Sequence, residues 1–290
     1  METIGTSKIW TYSATQSEAL PGKCSSVRKS QGHRVNNYME LATKVAELQF
    51  KNRDFVLLFR GQAQDHKNRA SNTSLKPTIL RSAQPGKVPG ASTLAARYEH
   101  LQGAETELVA QYEAVGLPGI DRLRRQPILR WAILQHYEVC GTPLLDVTHS
   151  LRIAASFAST DADEAYIFVL GVPHISGAIT ASAEAGLQIV RLASVCPPSA
   201  IRPHIQEGYL LGEYPDLGGI DQKAQYQHYE VDFGRRLIAK FRFNPASFWY
   251  KSRYFPQVTH EALYPGETED PLCELASNIR SAIGPPPSRA

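Results

Sequence analysis

The sequence predicts an α+β domain with a central mixed or antiparallel sheet surrounded by helices. Short apolar runs rich in β-branched and aromatic residues, namely Phe55–Phe59, Ala165–Leu170, Leu187–Leu192 and Leu237–Phe243, read as strands. Segments with apolar residues at helical spacing, such as Tyr38–Leu48, alternate with them. The composition is that of an ordinary globular chain: 42% of 290 residues are hydrophobic and 20% charged.

Charge and cysteine usage narrow the function classes. The net charge of +3, from 31 basic and 28 acidic residues, is too near balance to argue for nucleic acid by itself. Cys24, Cys140, Cys196 and Cys273 are scattered, and none forms a Cys-x-x-Cys pair, so no metal site is expected. Reduced thiols suit a cytoplasmic protein. No run has the length of a signal-peptide core or a membrane span, so no membrane partner is expected.

The elements follow in order. Residues 1–35 are rich in Ser, Thr, Gln and Lys and read as a flexible lead-in. A single domain is expected over 36–284, with a Pro-rich tail at 285–290. Asn36-Asn37 caps a helix marked by Tyr38, Leu41, Val45 and Leu48. Phe55–Phe59 is a buried strand with Arg60-Gly61-Gln62 at its end. Residues 63–74 form a polar loop, and Pro85, Gly86, Pro89 and Gly90 mark another. A helix is expected over about 93–115, with Gly103 as a break point. Pro127 opens the next helix, which delivers His136 and Tyr137 to its end. After Ala165–Leu170 and Leu187–Leu192, residues 201–212 read as a turn and short strand, and 212–228 as loop. Leu237–Phe243 alternates as a strand with one buried face. Helical segments are expected at 246–255 and 271–283.

Four groups could carry chemistry. Arg60-Gly61-Gln62 offers a planar guanidinium to a phosphate or carboxylate, and Gly61 permits close approach of a ligand. An internal salt bridge from Arg60 to Asp146 would use the same residue structurally. His136 could act as a general acid or base oriented by Glu138, or could simply end its helix. Asp146 and Thr148, two apart, share a face in an extended segment and could bind a ribose; Asp146 could equally cap the next helix. Gln206-Glu207-Gly208 is a polar pair before a strand, or a plain turn. Separately, Lys240, Arg242, Lys251 and Arg253 interleave with Phe241, Phe243, Trp249, Tyr250 and Tyr254. Such a pattern can stack single-stranded nucleic acid, or can be core aromatics with cations on the solvent face.

Together these segments resemble the FRG family, named for a Phe/Tyr-Arg-Gly motif. Phe59-Arg60-Gly61-Gln62 carries that motif, and Leu75-Lys76-Pro77-Thr78-Ile79-Leu80-Arg81 resembles the family's Leu-x-Pro-Ser-Leu-x-Arg. The stretch from Gln135-His136 to Leu144-Leu145-Asp146-Val147-Thr148 is similar to its Gln-His-x-Gly-x-Pro-Thr-Arg-Leu-Leu-Asp-x-Thr. Ala154–Ala158 and Gln206–Tyr209 match two later blocks. Glu138 stands where the family commonly has glycine, and Thr142-Pro143-Leu144 departs from Pro-Thr-Arg. The resemblance implies a bacterial protein. A further likeness of layout, to ADP-ribosyltransferases, implies NAD as a substrate. Arg60 would hold its phosphates beside Gly61, Gln62, Asp146 and Thr148. Thr148 and Ser150 would form the second polar motif, and Gln206 or Glu207 would sit near the nicotinamide ribose; His136 remains the candidate general acid or base. The chain has no Ser-Thr-Ser block and no Glu-x-Glu pair.

Three readings stay open at this point. One is an enzyme of the ADP-ribosyltransferase or NAD glycohydrolase type. Another is a non-catalytic module binding a nucleotide or nucleic acid. The last is a protein-interaction partner in a bacterial defence or effector system.

Overall fold

The computed structural model describes residues 4, 7–84, 86–216, 218–221, 231–266 and 269–287. Residues 217 and 222–228 of the expected 212–228 loop, the tail beyond 287, and residues 1–3, 5 and 6 of the lead-in lie outside the described residues. The first half of the chain forms β1 (Ile9–Thr11), β2 (Leu20–Gly22), α1 (Cys24–Lys29), β3 (His33–Arg34), α2 (Tyr38–Lys51), β4 (Val56–Gln62), α3 (Ala91–Ala114), α4 (Ile120–Arg125), α5 (Pro127–His136) and β5 (Leu145–Thr148). Then come α6 (Leu151–Ala158), β6 (Ala165–Val172), β7 (Ile179–Ser182), β8 (Leu187–Arg191), α7 (Leu192–Val195), α8 (Arg202–Ile205) and β9 (Gly208–Glu213). The chain closes with β10 (Leu237–Phe243), α9 (Pro245–Tyr250), α10 (His260–Leu263) and α11 (Pro271–Ile283).

An α+β architecture results. Eight strands form one mixed sheet in the order β3-β10-β6-β4-β5-β9-β8-β7, and β1-β2 form a small separate ribbon. β3 runs parallel to β10, while the other pairs in the sheet are antiparallel. β4 stays in register with β6 from Val56↔Val172 to Gln62↔Tyr166. Among the described residues it meets β5 only at Phe59↔Thr148. The sheet therefore parts between β4 and β5, but one apolar core spans both halves, since Leu145, Val147, Leu187, Ile189 and Leu211 join the residues of β4, β6 and β10. That core packs β4, β6 and β10 against residues of α1, α2 and α6. A second core packs α3, α5 and α11 against residues of β8 and β9.

Local sequence explains most elements. Asn37 caps α2 by accepting from the Glu40 N–H at 2.9 Å, and Leu41, Val45 and Leu48 turn inward at helical spacing. Pro127 occupies the start of α5, where its missing N–H costs nothing. α3 passes through Gly103 unbroken, because burial of Leu94, Tyr98, Leu101, Leu108 and Tyr112 outweighs one weak helix former. No helix among the described residues is long and apolar enough to cross a membrane.

Two expectations are corrected. The supposed flexible lead-in is built into the fold: Ile9, Tyr12, Cys24 and Val27 are core residues. Arg28 pairs with Asp232 at 2.6 Å, across more than two hundred residues of chain. A polar composition hides such a segment, because its few apolar residues find partners far away in sequence. β10 also departs from the one-face-buried pattern. Lys240 is 0% exposed, and its ammonium donates to Asp65 at 2.6 Å, to Thr73 Oγ1 at 2.9 Å and to the Ser30 carbonyl. The lead-in covers the face where solvent was expected.

Candidate functional site

The parting of β4 and β5 opens a cavity of about 360 Å³, a size usual for small-molecule sites. Arg60, Gly61, His136, Asp146, Thr148 and Gln206 all line it, together with Thr78, Arg81, Gln135, Glu138, Phe157, Arg202, Tyr209 and Tyr264. Gln62 and Glu207 do not.

Arg60 comes from β4. Its Nη1 donates to the main-chain carbonyl of Asp146, so the expected salt bridge between the two side chains is absent. Among the described residues the guanidinium enters no ion pair, and its buried Nε has no hydrogen-bond partner. Burial draws its pKa down and the Asp146 charge opposes this, but a guanidinium stays protonated in any case. Gly61 has a packing role. A Cβ there would lie 1.8 Å from the Ala154 carbonyl oxygen, so the close approach is by α6 and not by a ligand.

Asp146 is oriented by a short polar chain. Gln135 Nε2 donates to its Oδ2 at 2.7 Å, Thr142 Oγ1 donates to Gln135 Oε1 at 2.8 Å, and the Leu144 N–H donates to Thr142 Oγ1 at 3.2 Å. Burial pushes the Asp146 carboxyl upward, and Arg60 and Gln135 restrain it. Asp146 does not cap α6; Ser150 stands at that position.

His136 is the last residue of α5 and is 4% exposed. Burial, with the Arg202 charge next, holds it well below its ordinary pKa, so the ring is neutral, and among the described residues Nε2 has no hydrogen-bond partner. Glu138 does not orient it. That carboxylate pairs with Arg202 at 3.0 Å, and its residue sits at φ +57° just past α5, a left-handed turn that favours glycine. The family's usual glycine at this point thus has a backbone reason.

Thr148 and Gln206 are tied into the wall. Thr148 Oγ1 donates to the Gln206 carbonyl at 2.7 Å and accepts from the Ser150 N–H at 3.0 Å. Gln206 Nε2 donates to the Leu263 carbonyl at 2.7 Å. Glu207 turns at φ +45°, and its carbonyl accepts from the His149 N–H at 3.2 Å.

Sequence reasoning missed Arg202 and Tyr264. Arg202 lies over the Tyr264 ring at 4.5 Å and the Tyr137 ring at 5.5 Å. Asp270 fixes this corner, accepting from the Arg202 N–H and the Tyr137 hydroxyl, both at 2.9 Å. Neither residue lies in a motif. The one sequence signal is that Arg202 stands four residues before Gln206.

The class defined by this geometry is an α+β domain with a polar, arginine-bearing cleft where its sheet divides. Residues 56–166 match the family model described as the FRG domain, and the chain therefore carries an FRG domain. That span supplies Arg60, Gln135, His136, Asp146 and Thr148, while Arg202, Gln206 and Tyr264 lie beyond it. No curated protein and no solved structure matches the chain.

Proposed function

We propose that the cleft binds a nucleotide anion, with NAD as substrate, and that the protein is an ADP-ribosyltransferase-like enzyme or NAD glycohydrolase. The observation that carries this reading is Arg60: a buried guanidinium on a cavity wall that feels the Asp146 charge but forms no side-chain ion pair among the described residues. Arg60 and Arg202 would meet the diphosphate, and the rings of Phe157 and Tyr209 offer surfaces for a base, while Tyr264 is already covered by Arg202 and His260. Asp146 would face the ribose. As the C1′–N bond breaks, its electron pair leaves with nicotinamide and the carboxylate stabilises the oxocarbenium charge. Water or an acceptor group then adds at C1′ and releases a proton. In this reading Gln206 shapes the wall, since its amide is already engaged by Leu263.

That engagement, and the position of Glu207 off the cavity, favour one second reading: a module that senses a nucleotide without turnover. Incubating the protein with NAD and analysing products by mass separates the two. Nicotinamide release that Arg60→Ala abolishes, with melting near wild type, supports the enzyme. A melting shift with NAD but no product supports the sensor. Absence of both overturns the nucleotide reading.

A further inference from the structure

The aromatic-and-cation stretch splits into two unlike halves. In β10, Phe241 and Phe243 are core, Lys240 is sealed in an ion pair, and Arg242 reaches Glu164 at 2.9 Å. After α9 the pattern inverts. Tyr250 is 85% and Tyr254 86% exposed, with both rings bare to solvent. Lys251 and Arg253 between them are exposed, and their side chains make no hydrogen bond or ion pair with any described residue.

The turn that displays them is anchored. Ser252, 5% exposed, donates from Oγ to the Phe248 carbonyl at 2.6 Å and accepts from the Tyr38 N–H at 2.8 Å; its carbonyl takes the Phe255 N–H at 2.7 Å. Phe255 stacks on Tyr38 with centroids 5.1 Å apart. Exposed Arg152 of α6 and the Glu207 carboxylate are both close enough for their charges to act on the Tyr38 hydroxyl, whose pKa burial raises. Aromatic rings and cations thus alternate on a fixed support. No Asp or Glu occurs from Leu237 to His260 to neutralise them.

We propose that the turn Tyr250–Phe255 is a docking platform for single-stranded nucleic acid. Its alternation of ring and cation matches the alternation of base and phosphate along a strand. A duplex hides the base faces that Tyr250 and Tyr254 would stack upon, so the platform selects unpaired strands. A protein partner is the weaker fit, because bare cations with no intervening acid suit a polyanion. The platform also leads to the cleft. The Val258 N–H donates to Ser156 Oγ of α6 at 3.0 Å, and α10 then delivers Tyr264 to the cavity wall.

Fluorescence anisotropy of a labelled mixed-sequence 12-mer, titrated with the full chain at low and raised salt, tests this. Saturable binding of single-stranded DNA or RNA in preference to a blunt duplex is expected. Tyr250→Ala and Tyr254→Ala should each weaken it about fivefold or more. Lys251→Gln with Arg253→Gln should flatten the log–log salt slope by about 1.4, at about 0.7 per phosphate contact. These positions are exposed, so melting should stay near wild type. No saturable binding, equal affinity for duplex, or affinity untouched by loss of both tyrosines overturns the proposal. Binding of an acidic peptide without any oligonucleotide overturns it in favour of a protein partner. Nicotinamide release plays no part in these readouts, so this proposal fails or stands apart from the NAD reading.

Discussion

Lys240 and Arg60 are both cations on strands of one sheet, each close to a carboxylate, yet they end in opposite states. Lys240 spends all three ammonium donors on Ser30, Asp65 and Thr73, and Asp65 is held in turn by Lys67 at 2.6 Å. Nothing in that knot is left for a ligand. Arg60 gives one bond to a backbone carbonyl, keeps a buried Nε without a partner among the described residues and faces a cavity. Residue type does not separate the two. Complete hydrogen bonding marks a structural group, and incomplete bonding on a cavity wall marks a group kept for something else.

The hardest way to break that contrast is to remove Lys240. Lys240→Ala should cost about 3 kcal/mol, the low end for a broken buried pair because Lys67 still holds Asp65. Arg60→Ala should cost about 1 kcal/mol, the value of one hydrogen bond. Urea midpoints at constant slope would measure both, and equal losses would erase the distinction. The pH dependence sharpens it. Burial pushes Lys240 down from 10.5 to about 8, against the pull of Asp65. Between those values the unfolded chain holds a proton that the folded chain has released. Stability from this group therefore rises with pH from about 8 to 10.5 and is flat below. The difference between wild type and Lys240→Met isolates it from tyrosine and cysteine titrations in the same range.

Gly61→Ala comes next. Its Cβ would meet the Ala154 oxygen at 1.8 Å and the Ala158 nitrogen at 2.9 Å, both backbone atoms of α6. The helix must move, at a cost of about 2–3 kcal/mol. A nucleotide-approach role predicts instead a normal melting curve with lost ligand response. Thermal melting with and without NAD distinguishes a packing glycine from a binding one.

What the sequence discloses depends on how local the cause is. α2, β4, α5 and β6 are legible because propensity, spacing and caps act within a few residues. The lead-in is not, because Cys24 donates its thiol to the Gly234 carbonyl and Arg28 pairs with Asp232, and no window of sequence contains both partners. The cavity divides in the same way. Arg60, His136, Asp146, Thr148 and Gln206 are readable as polar residues at element ends, and the fold brings all five to one cavity. Their partners are not readable. The bond from Arg60 goes to a backbone carbonyl, Glu138 turns away from His136 to Arg202, and Tyr264, just past α10, meets the Arg202 that Asp270 fixes.

The smallest stability effect should come from Asp146→Asn, and it is the most decisive of the set. Arg60 bonds the main-chain oxygen of residue 146, which asparagine retains. Gln135 Nε2 can still donate to the new amide oxygen, in place of Oδ2 at 2.7 Å. Burial, which raises the Asp146 pKa, no longer opposes a charge there. Losses and gains nearly offset, and the variant should stay within about 1 kcal/mol of wild type by urea unfolding. Nicotinamide release should fall about 100-fold or more, because the carboxylate that would stabilise positive charge at the ribose is gone. A fall in stability of about 3 kcal/mol would instead make Arg60–Asp146 a structural ion pair. The contrast with Lys240 would then vanish, and with it the main reason to regard this end of β4 as a site.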